Sequence, residues 1–409
     1  MAITDKEQGV WDVDQVYNKI NQGGIWKYNG AAGEPGGVWQ WYYDNYGRLG
    51  INEEPTTPNT YYSSPVMANG TFDDSWGQTI TTFARGNDGS LWAWGYNGMG
   101  LLGQNDTASR SVPVQIGTDT DWAKNGSIGR WVKTNGAMYV CGPNSDGALG
   151  LNMHYGSGEV TSSTGKSSPV QLGTETTWAQ SEYSHSKLFS LKTDGTAWYW
   201  GGWSFGCAGN GTTSGTRSSP TQLAGYTFAS MGNCGAPTTH HYGGVTPTGS
   251  LYMWGANASG QLGLNEGPYR APWQPNWGRT NRDKSTPNSV PGTTWKYMQN
   301  GLSTTLASKT DGTLWAWGYG APGGLGLNST GQYSSPTQIG TDTTWTGKIF
   351  QSGYRSAAVK TDGSIWVWGA NSYGGLGVND NTSYSSPIQL PGSWTDMGDG
   401  YYMNLIKAG

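Results

Sequence analysis

The side chains that could carry chemistry are few and scattered. Four histidines, His154, His185, His240 and His241, are the candidate acid–base groups or metal ligands. His240 and His241 are adjacent, so in an extended segment they point to opposite faces and do not readily share an ion. Cys141, Cys207 and Cys234 stand far apart and match no metal-ligand spacing or disulfide framework. A row of acids recurs at Asp88, Asp194, Asp311 and Asp362, each followed by Gly. An Asp in that place is what a tight turn asks for, because its carboxylate caps the backbone two residues on. Glycoside hydrolysis would need two opposed carboxylates, and nothing marks such a pair. The residue types therefore predict no catalytic group, no metal and no cofactor.

Binding chemistry is better represented. The stretch from Glu266 to Lys284 holds Tyr269, Arg270, Trp273, Trp277, Arg279 and Arg282. Trp, Tyr and Arg are the types that dominate interface hot spots, and Trp and Tyr faces also stack on sugar rings. The alternative is a loop folded onto its own scaffold with its Trp buried. A second candidate lies near the N-terminus. Asp12 with Gln15 reads as a capping box, and Val13, Val16, Tyr17 and Ile20 recur at helical spacing before Gly23-Gly24. So short a helix is marginal alone. It is expected either to pack on the rest of the chain or to anchor it to another subunit.

The elements that must position these residues are repeats. The stretch Asp88-Gly-Ser-Leu-Trp-Ala-Trp-Gly-Tyr-Asn-Gly-Met-Gly-Leu-Leu-Gly103 reads as a tight turn, a short aromatic strand and a Gly-rich turn. With substitutions it occurs seven times. Its second aromatic position falls at Trp41, Trp94, Cys141, Trp200, Trp254, Trp317 and Trp368. A Leu-Gly pair closes most copies, as at Leu49, Leu102, Leu149, Leu262, Leu325 and Leu376. A second block follows, of the type Ser167-Ser-Pro-Val-Gln-Leu-Gly, and then usually a Trp, as at Trp122, Trp178, Trp295, Trp345 and Trp394. Repeats of this length with several short strands are the mark of a β-propeller.

The units resemble those of the regulator-of-chromosome-condensation family, whose repeats form seven-bladed propellers. The resemblance covers roughly residues 35–409. It implies an all-β, seven-bladed β-propeller over residues 25–409 with a short N-terminal helical arm over residues 1–24. The first copy lacks its upstream strands, and Trp394 to Lys407 supplies the matching surplus. Closure is therefore expected by pairing of the N- and C-terminal segments. The family's fold hosts exchange factors, enzyme inhibitors, signalling modules and virion proteins, so fold alone does not give function. The aromatic, Gly-rich repeat style resembles bacterial and bacteriophage members. The opening, Gly9-Val-Trp-Asp-Val-Asp-Gln-Val-Tyr-Asn-Lys-Ile20, is similar to the start of phage virion proteins with such repeats. The resemblance implies a non-enzymatic virion structural protein on a tail or capsid surface. Its partners would be other virion proteins and a host-surface glycan or protein. The alternatives are a propeller that inhibits or regulates an enzyme and a carbohydrate-binding propeller.

Composition agrees with many turns and few charges. The chain of 409 residues has 67 Gly and only 12% charged residues, against about a quarter in ordinary domains. A net charge of −4 with no basic run speaks against nucleic acid as a partner. No apolar run is long enough to insert in a membrane as a helix. Three connections are longer than the rest: Met153 to Lys166, Met231 to Gly244, and Glu266 to Lys284. Loops on a rigid scaffold are where binding concentrates.

Overall fold

A computed structural model describes residues 37–52, 61–68, 70–77, 80–124, 126–153, 165–184, 187–232, 240–266, 282–392, 394, 396–400 and 404–407. These residues form β-sheets that follow one another along the chain as propeller blades. A representative blade runs Trp295–Asn300, Thr304–Lys309, Leu314–Gly318, Tyr333–Gln338, every neighbour antiparallel. The first strand lies beside the first strand of the next blade, Trp345–Ser352, near the axis. The fourth, a Ser-Ser-Pro strand, is half-buried along its whole length at the rim.

The blade count corrects the expectation of seven. The described residues form six hydrogen-bonded sheets: one of eight strands, four of four, and one of three. The reason is local. Asp396–Gly400 pairs in parallel with Phe72–Gly77, through Asp399 to Trp76 and Gly400 to Gly77. That pairing fuses the strands holding the chain ends with those of the second copy into one continuous sheet. The helical arm is not found either. Among the described residues there is no α-helix, only three-residue 3-10 turns such as Asn45–Gly47, Ser145–Gly147 and Ser372–Gly374. Val13, Val16, Tyr17 and Ile20 lie outside the described residues. The pairing of the ends is present: Gly37–Tyr43 pairs antiparallel with Asn404–Lys407, register Gly37 to Lys407 through Gln40 to Asn404.

Adjacent copies are joined by one repeated hydrogen bond. The indole of the second aromatic position is buried and donates from Nε1 to a carbonyl in the Gly-rich turn of the preceding copy. The pairs are Trp94 to Arg48 at 2.8 Å, Trp200 to Ala148 at 3.1 Å and Trp254 to Cys207 at 3.0 Å. Trp317 to Gln261 at 2.9 Å and Trp368 to Gly324 at 3.1 Å continue the series. Trp41 to Gly375 at 3.1 Å spans 334 residues and carries the pattern across the chain ends. Where the sequence has Cys141, its Sγ takes the same place, 3.2 Å from the Leu101 carbonyl. Burial pushes that thiol up to about 12, so it stays a neutral donor.

The Ser-Ser-Pro block makes a second link. The Asn two residues after each Leu-Gly pair adopts positive φ and donates its N–H to the rim Ser of the next copy. Asn105 to Ser167 is 2.7 Å, Asn152 to Ser218 is 2.7 Å and Asn265 to Ser334 is 2.8 Å. The Pro of each block sits on the outermost strand, where a missing N–H blunts an edge that would otherwise recruit another chain.

The Asp-Gly turns are structural, as their chemistry predicts. Asp311 Oδ1 accepts from Thr313 N–H at 3.0 Å and from its hydroxyl at 2.6 Å, and that hydroxyl accepts from Trp315 Nε1 at 2.8 Å. The same relay runs at Asp194–Thr196–Trp198 and Asp362–Ser364–Trp366. The hydroxyl bond is the main cause holding each of these carboxyls below its ordinary range. A Lys caps the outer Trp of each: Lys192 Nζ is 3.9 Å from the Trp198 ring centre, Lys309 4.3 Å from Trp315, and Lys360 4.1 Å from Trp366.

Two predictions follow from these contacts. Gly263 has φ +69, and a Cβ there would stand 2.8 Å from Trp317 Nε1. Gly340 has φ +61 with open space around it. Gly→Ala at either site incurs the left-handed backbone cost of about 1–2 kcal/mol. Gly263→Ala should add about 1–3 kcal/mol more by crowding the buried indole. Equal denaturation midpoints for the two variants would reject the link as described.

The second prediction concerns acid. Lys360 Nζ sits 2.6 Å from Asp342, and this hydrogen bond, with a smaller one from Thr344, lowers the Asp342 carboxyl from 3.8 to about 2. A depressed folded value means the contribution is complete above about pH 4 and is lost as pH falls toward 2. The stability difference between the native chain and Asp342→Asn should therefore shrink over that window. A difference independent of pH from 5 to 2 would contradict it.

Candidate functional site

In every four-stranded blade the first–second and third–fourth connections leave from one end, and the second–third turn from the other. The parallel pairing of Asp396–Gly400 with Phe72–Gly77 shows that first strands of neighbouring copies run the same way. All first–second and third–fourth connections therefore gather on one face, and the Asp-Gly turns on the opposite face. The three long connections noted in the sequence all belong to the first face. The segments after Met153 and Glu266 link third to fourth strands, and the one after Met231 links a first strand to a second.

The turns of that face are built to hold one side chain outward. Five of the seven open on a buried Asn or Asp whose Oδ1 accepts the N–H of the Leu five residues on; Trp203 and Gly320 stand there in the other two. The distances are 2.9 Å for Asp44 to Leu49, 2.9 Å for Asn97 to Leu102 and 2.8 Å for Asn371 to Leu376. The amide's other end is held too: Asn97 Nδ2 donates to Asp106 Oδ1 at 2.9 Å, and Asn371 Nδ2 to Asp380 Oδ1 at 2.8 Å. Two residues after the Asn or Asp, the chain turns through positive φ at Tyr46 (57°), Asp146 (55°) and Tyr373 (65°). These residues stand away from the scaffold.

The result is an aromatic arc. Tyr373, Tyr46 and Met99 occupy this place in three successive copies and are 56%, 51% and 56% exposed. Among the described residues they are three of the four exposed large hydrophobic side chains. Tyr46 packs on Tyr96 with ring centres 4.8 Å apart. One copy earlier, Tyr319 and Tyr354 pair at 5.7 Å on the same face. Each turn rests on the next copy: Ser372–Gly374 against Gly37–Tyr43 and Tyr61–Met67, and Asn45–Gly47 against Leu91–Gly95 and Arg110–Gln115. Among the described residues bordering the arc, Arg110 pairs with Asp106 at 2.6 Å, and Asp380 accepts from the Tyr384 hydroxyl at 2.7 Å.

Of the six residues the sequence singled out in the loop after Glu266, Arg282 alone is described, and it is half-buried. Tyr269, Arg270, Trp273, Trp277 and Arg279 lie outside the described residues, as do His154, His185 and Cys234. The two ends of that loop are tied by Lys284 Nζ to Glu266 Oε1 at 2.6 Å, beside Asn257 Nδ2 to Glu266 Oε2 at 3.1 Å. His240 and His241 diverge as their adjacency implies. His241 is buried, its Nε2 3.2 Å from the Thr304 carbonyl, while His240 meets the Phe205 ring at 4.6 Å. Among the described residues no group of three or more His, Cys, Asp or Glu is placed to hold a metal ion. No helix among them is long and apolar enough to cross a membrane.

The arc was missed in the sequence because Tyr46, Met99 and Tyr373 lie inside the repeat. The available signal was the unequal filling of one turn position: Tyr, Met, Asp, Phe, Ser, Pro and Tyr in order along the chain.

Comparison with known proteins fits this architecture. The regulator of chromosome condensation (RCC1) repeat model matches residues 88–125 and 362–402. The chain is 25% identical over 332 residues to the E3 ubiquitin-protein ligase HERC2 of Homo sapiens, covering 76% of this chain but 6% of that protein. It is 25% identical over 345 residues to the mitochondrial RCC1 domain-containing protein RUG3 of Arabidopsis thaliana, 82% of this chain and 61% of that one. Among solved structures, human WBSCR16 superposes with a TM-score of 0.72 at 18% identity, covering 91% of this chain and 99% of its own. Prp20p of Saccharomyces cerevisiae gives 0.71 at 15% identity, with 91% of each covered. The fold is a β-propeller, and RCC1-type repeats are matched within it at residues 88–125 and 362–402.

The exposure of the arc makes a prediction. Asn tolerates positive φ, so Tyr46→Asn and Tyr373→Asn should leave stability within about 0.5 kcal/mol of the native chain. Phe83→Ala, at a fully buried position, should cost about 3–5 kcal/mol. A large loss from the Tyr variants in urea denaturation would show that they are scaffold.

Proposed function

We propose that this RCC1-type propeller is a non-enzymatic structural protein of a bacteriophage virion. It sits on the tail or capsid surface and contacts other virion proteins, a host-surface component, or both. The observation that carries the contact role is the segregation of the two faces. The closing turns are hydrogen-bonded within themselves on one face, while every long connection and the aromatic arc gather on the other. A rigid ring that spends one face on its own turns is suited to presenting the other to a partner. The relatives carry the idea of binding in their own descriptions: Prp20p is described by its binding to Gsp1p and histones, and yeast RCC1 was solved bound to Kap60. The virion setting rests on the aromatic, Gly-rich style of the repeats and on the opening residues 9–20.

Mass spectrometry of purified particles tests the setting, and hydrogen exchange of the protein in the particle tests the face. The chain should be present at a stoichiometric level. Turns 45–47, 145–147 and 372–374 should gain protection on assembly, while the Asp-Gly turns at 88–89, 194–195 and 311–312 keep the exchange of the isolated protein. Absence from the particle overturns the virion reading, and protection confined to the Asp-Gly face overturns the contact face.

A further inference from the structure

We infer that the arc formed by Tyr373, Tyr46, Tyr96 and Met99 is a binding surface for a neutral glycan chain, an inference that rests on the contact role of this face. Charge narrows the class of ligand. Among the described residues the arc presents phenol rings, a thioether and flanking glycines; at its border Arg110 is neutralised by Asp106, and Asp380 accepts from the Tyr384 hydroxyl. A single-stranded nucleic acid also stacks on aromatic rings, but it needs cations along its backbone, and none of the four arc residues carries one. An acidic polysaccharide fails for the same reason. The chemistry that fits is a hydroxyl-rich, uncharged chain with flat C–H faces, which lies on the rings while the phenol hydroxyls bond at their edges.

Rigidity supports the same ligand. Tyr46 and Tyr373 are not on mobile tips: their turns are fixed by the buried Asp44 and Asn371 side chains, and the chain is held in the left-handed region beneath them. The Tyr96 ring, 4.8 Å away, braces Tyr46. Fixed rings lose little entropy on binding, which matters for a ligand that gains little from each sugar. The platforms also recur once per copy, in three successive copies around the ring. A repeating chain could engage them in register, and linked weak contacts raise the overall affinity well above any single one.

The test uses the full chain on an array of neutral microbial glycans, with maltohexaose and chitohexaose as soluble probes and heparin as the acidic control. At least one neutral glycan should bind, and Tyr46→Asn with Tyr373→Asn should weaken it at least tenfold while the melting temperature stays unchanged. Met99→Glu should weaken it as well. Binding of heparin alone, no binding to any neutral glycan, or glycan binding unaltered in the double variant would each overturn the inference. Because particle incorporation is measured separately, loss of glycan binding in a chain that still assembles rejects this surface alone. Loss of assembly in the native chain rejects the contact role beneath it.

Discussion

The ring depends on one interaction, the hydrogen bond from a buried indole of each copy to a carbonyl in the turn of the copy before it. The bond is modest in net terms, about 1 kcal/mol, but leaving either partner buried and unpaired would cost about 1–3 kcal/mol. That asymmetry makes the contact directional as well as favourable. A neighbour in the wrong rotation would strand both an N–H and a carbonyl. The Gly after each Leu follows from the same contact. At Gly50, Gly263 and Gly326 the backbone has positive φ and lies so close to the indole nitrogen of Trp94, Trp317 and Trp368 that a Cβ would stand only 2.7–2.8 Å away. The third copy shows the dependence in reverse. Where Cys141 replaces the indole, the corresponding Gly103 faces Ile116 instead, at 3.1 Å.

Because each copy is held by the one before it, the chain ends are no weaker in kind than the middle. Trp41 bonds Gly375 as Trp94 bonds Arg48. The parallel pairing of Asp399 with Trp76 adds a backbone contact that no other pair of copies shows among the described residues, merging two copies into a single eight-stranded sheet. This contact also explains why counting motifs did not give the number of sheets. Motif spacing reports how often a unit is repeated. It carries no information about whether the inner strands of two units come close enough to bond.

What the residues disclosed and what they hid follow the same division. Turn chemistry was legible, because Asp311 and Thr313 act within three residues of one another and local rules suffice. The terminal pairing was legible because Trp394 to Lys407 copies the pattern of an upstream segment. The indole bond was not, although the Trp themselves stood out. Its acceptors, such as Arg48, Ala148 and Gln261, share no side chain, since the accepting atom is a backbone carbonyl. The aromatic arc was hidden for a different reason. A search for residues outside the repeat pattern leads to the loop after Glu266, whereas Tyr46 and Tyr373 lie at a fixed place within it.

That fixed place is where the scaffold's demands and the surface's use can be separated. In five of the seven copies the turn has an Asn or Asp at its start, which caps the Leu five residues on, and a Gly near its end, which allows its close approach. Between them the side chain varies from Ser259, which is buried, to Tyr46, Met99 and Tyr373, which are more than half exposed. Holding Tyr46 or Tyr373 at positive φ costs about 1–2 kcal/mol that a Gly would not incur. Each ring stays more than half exposed, so burial offsets this cost only in part, for Tyr46 through its packing on Tyr96. The fold is therefore indifferent or slightly opposed to Tyr at this position. Three bulky side chains in successive copies, half-exposed on hydrogen-bonded turns, are what a contact surface on this face would use.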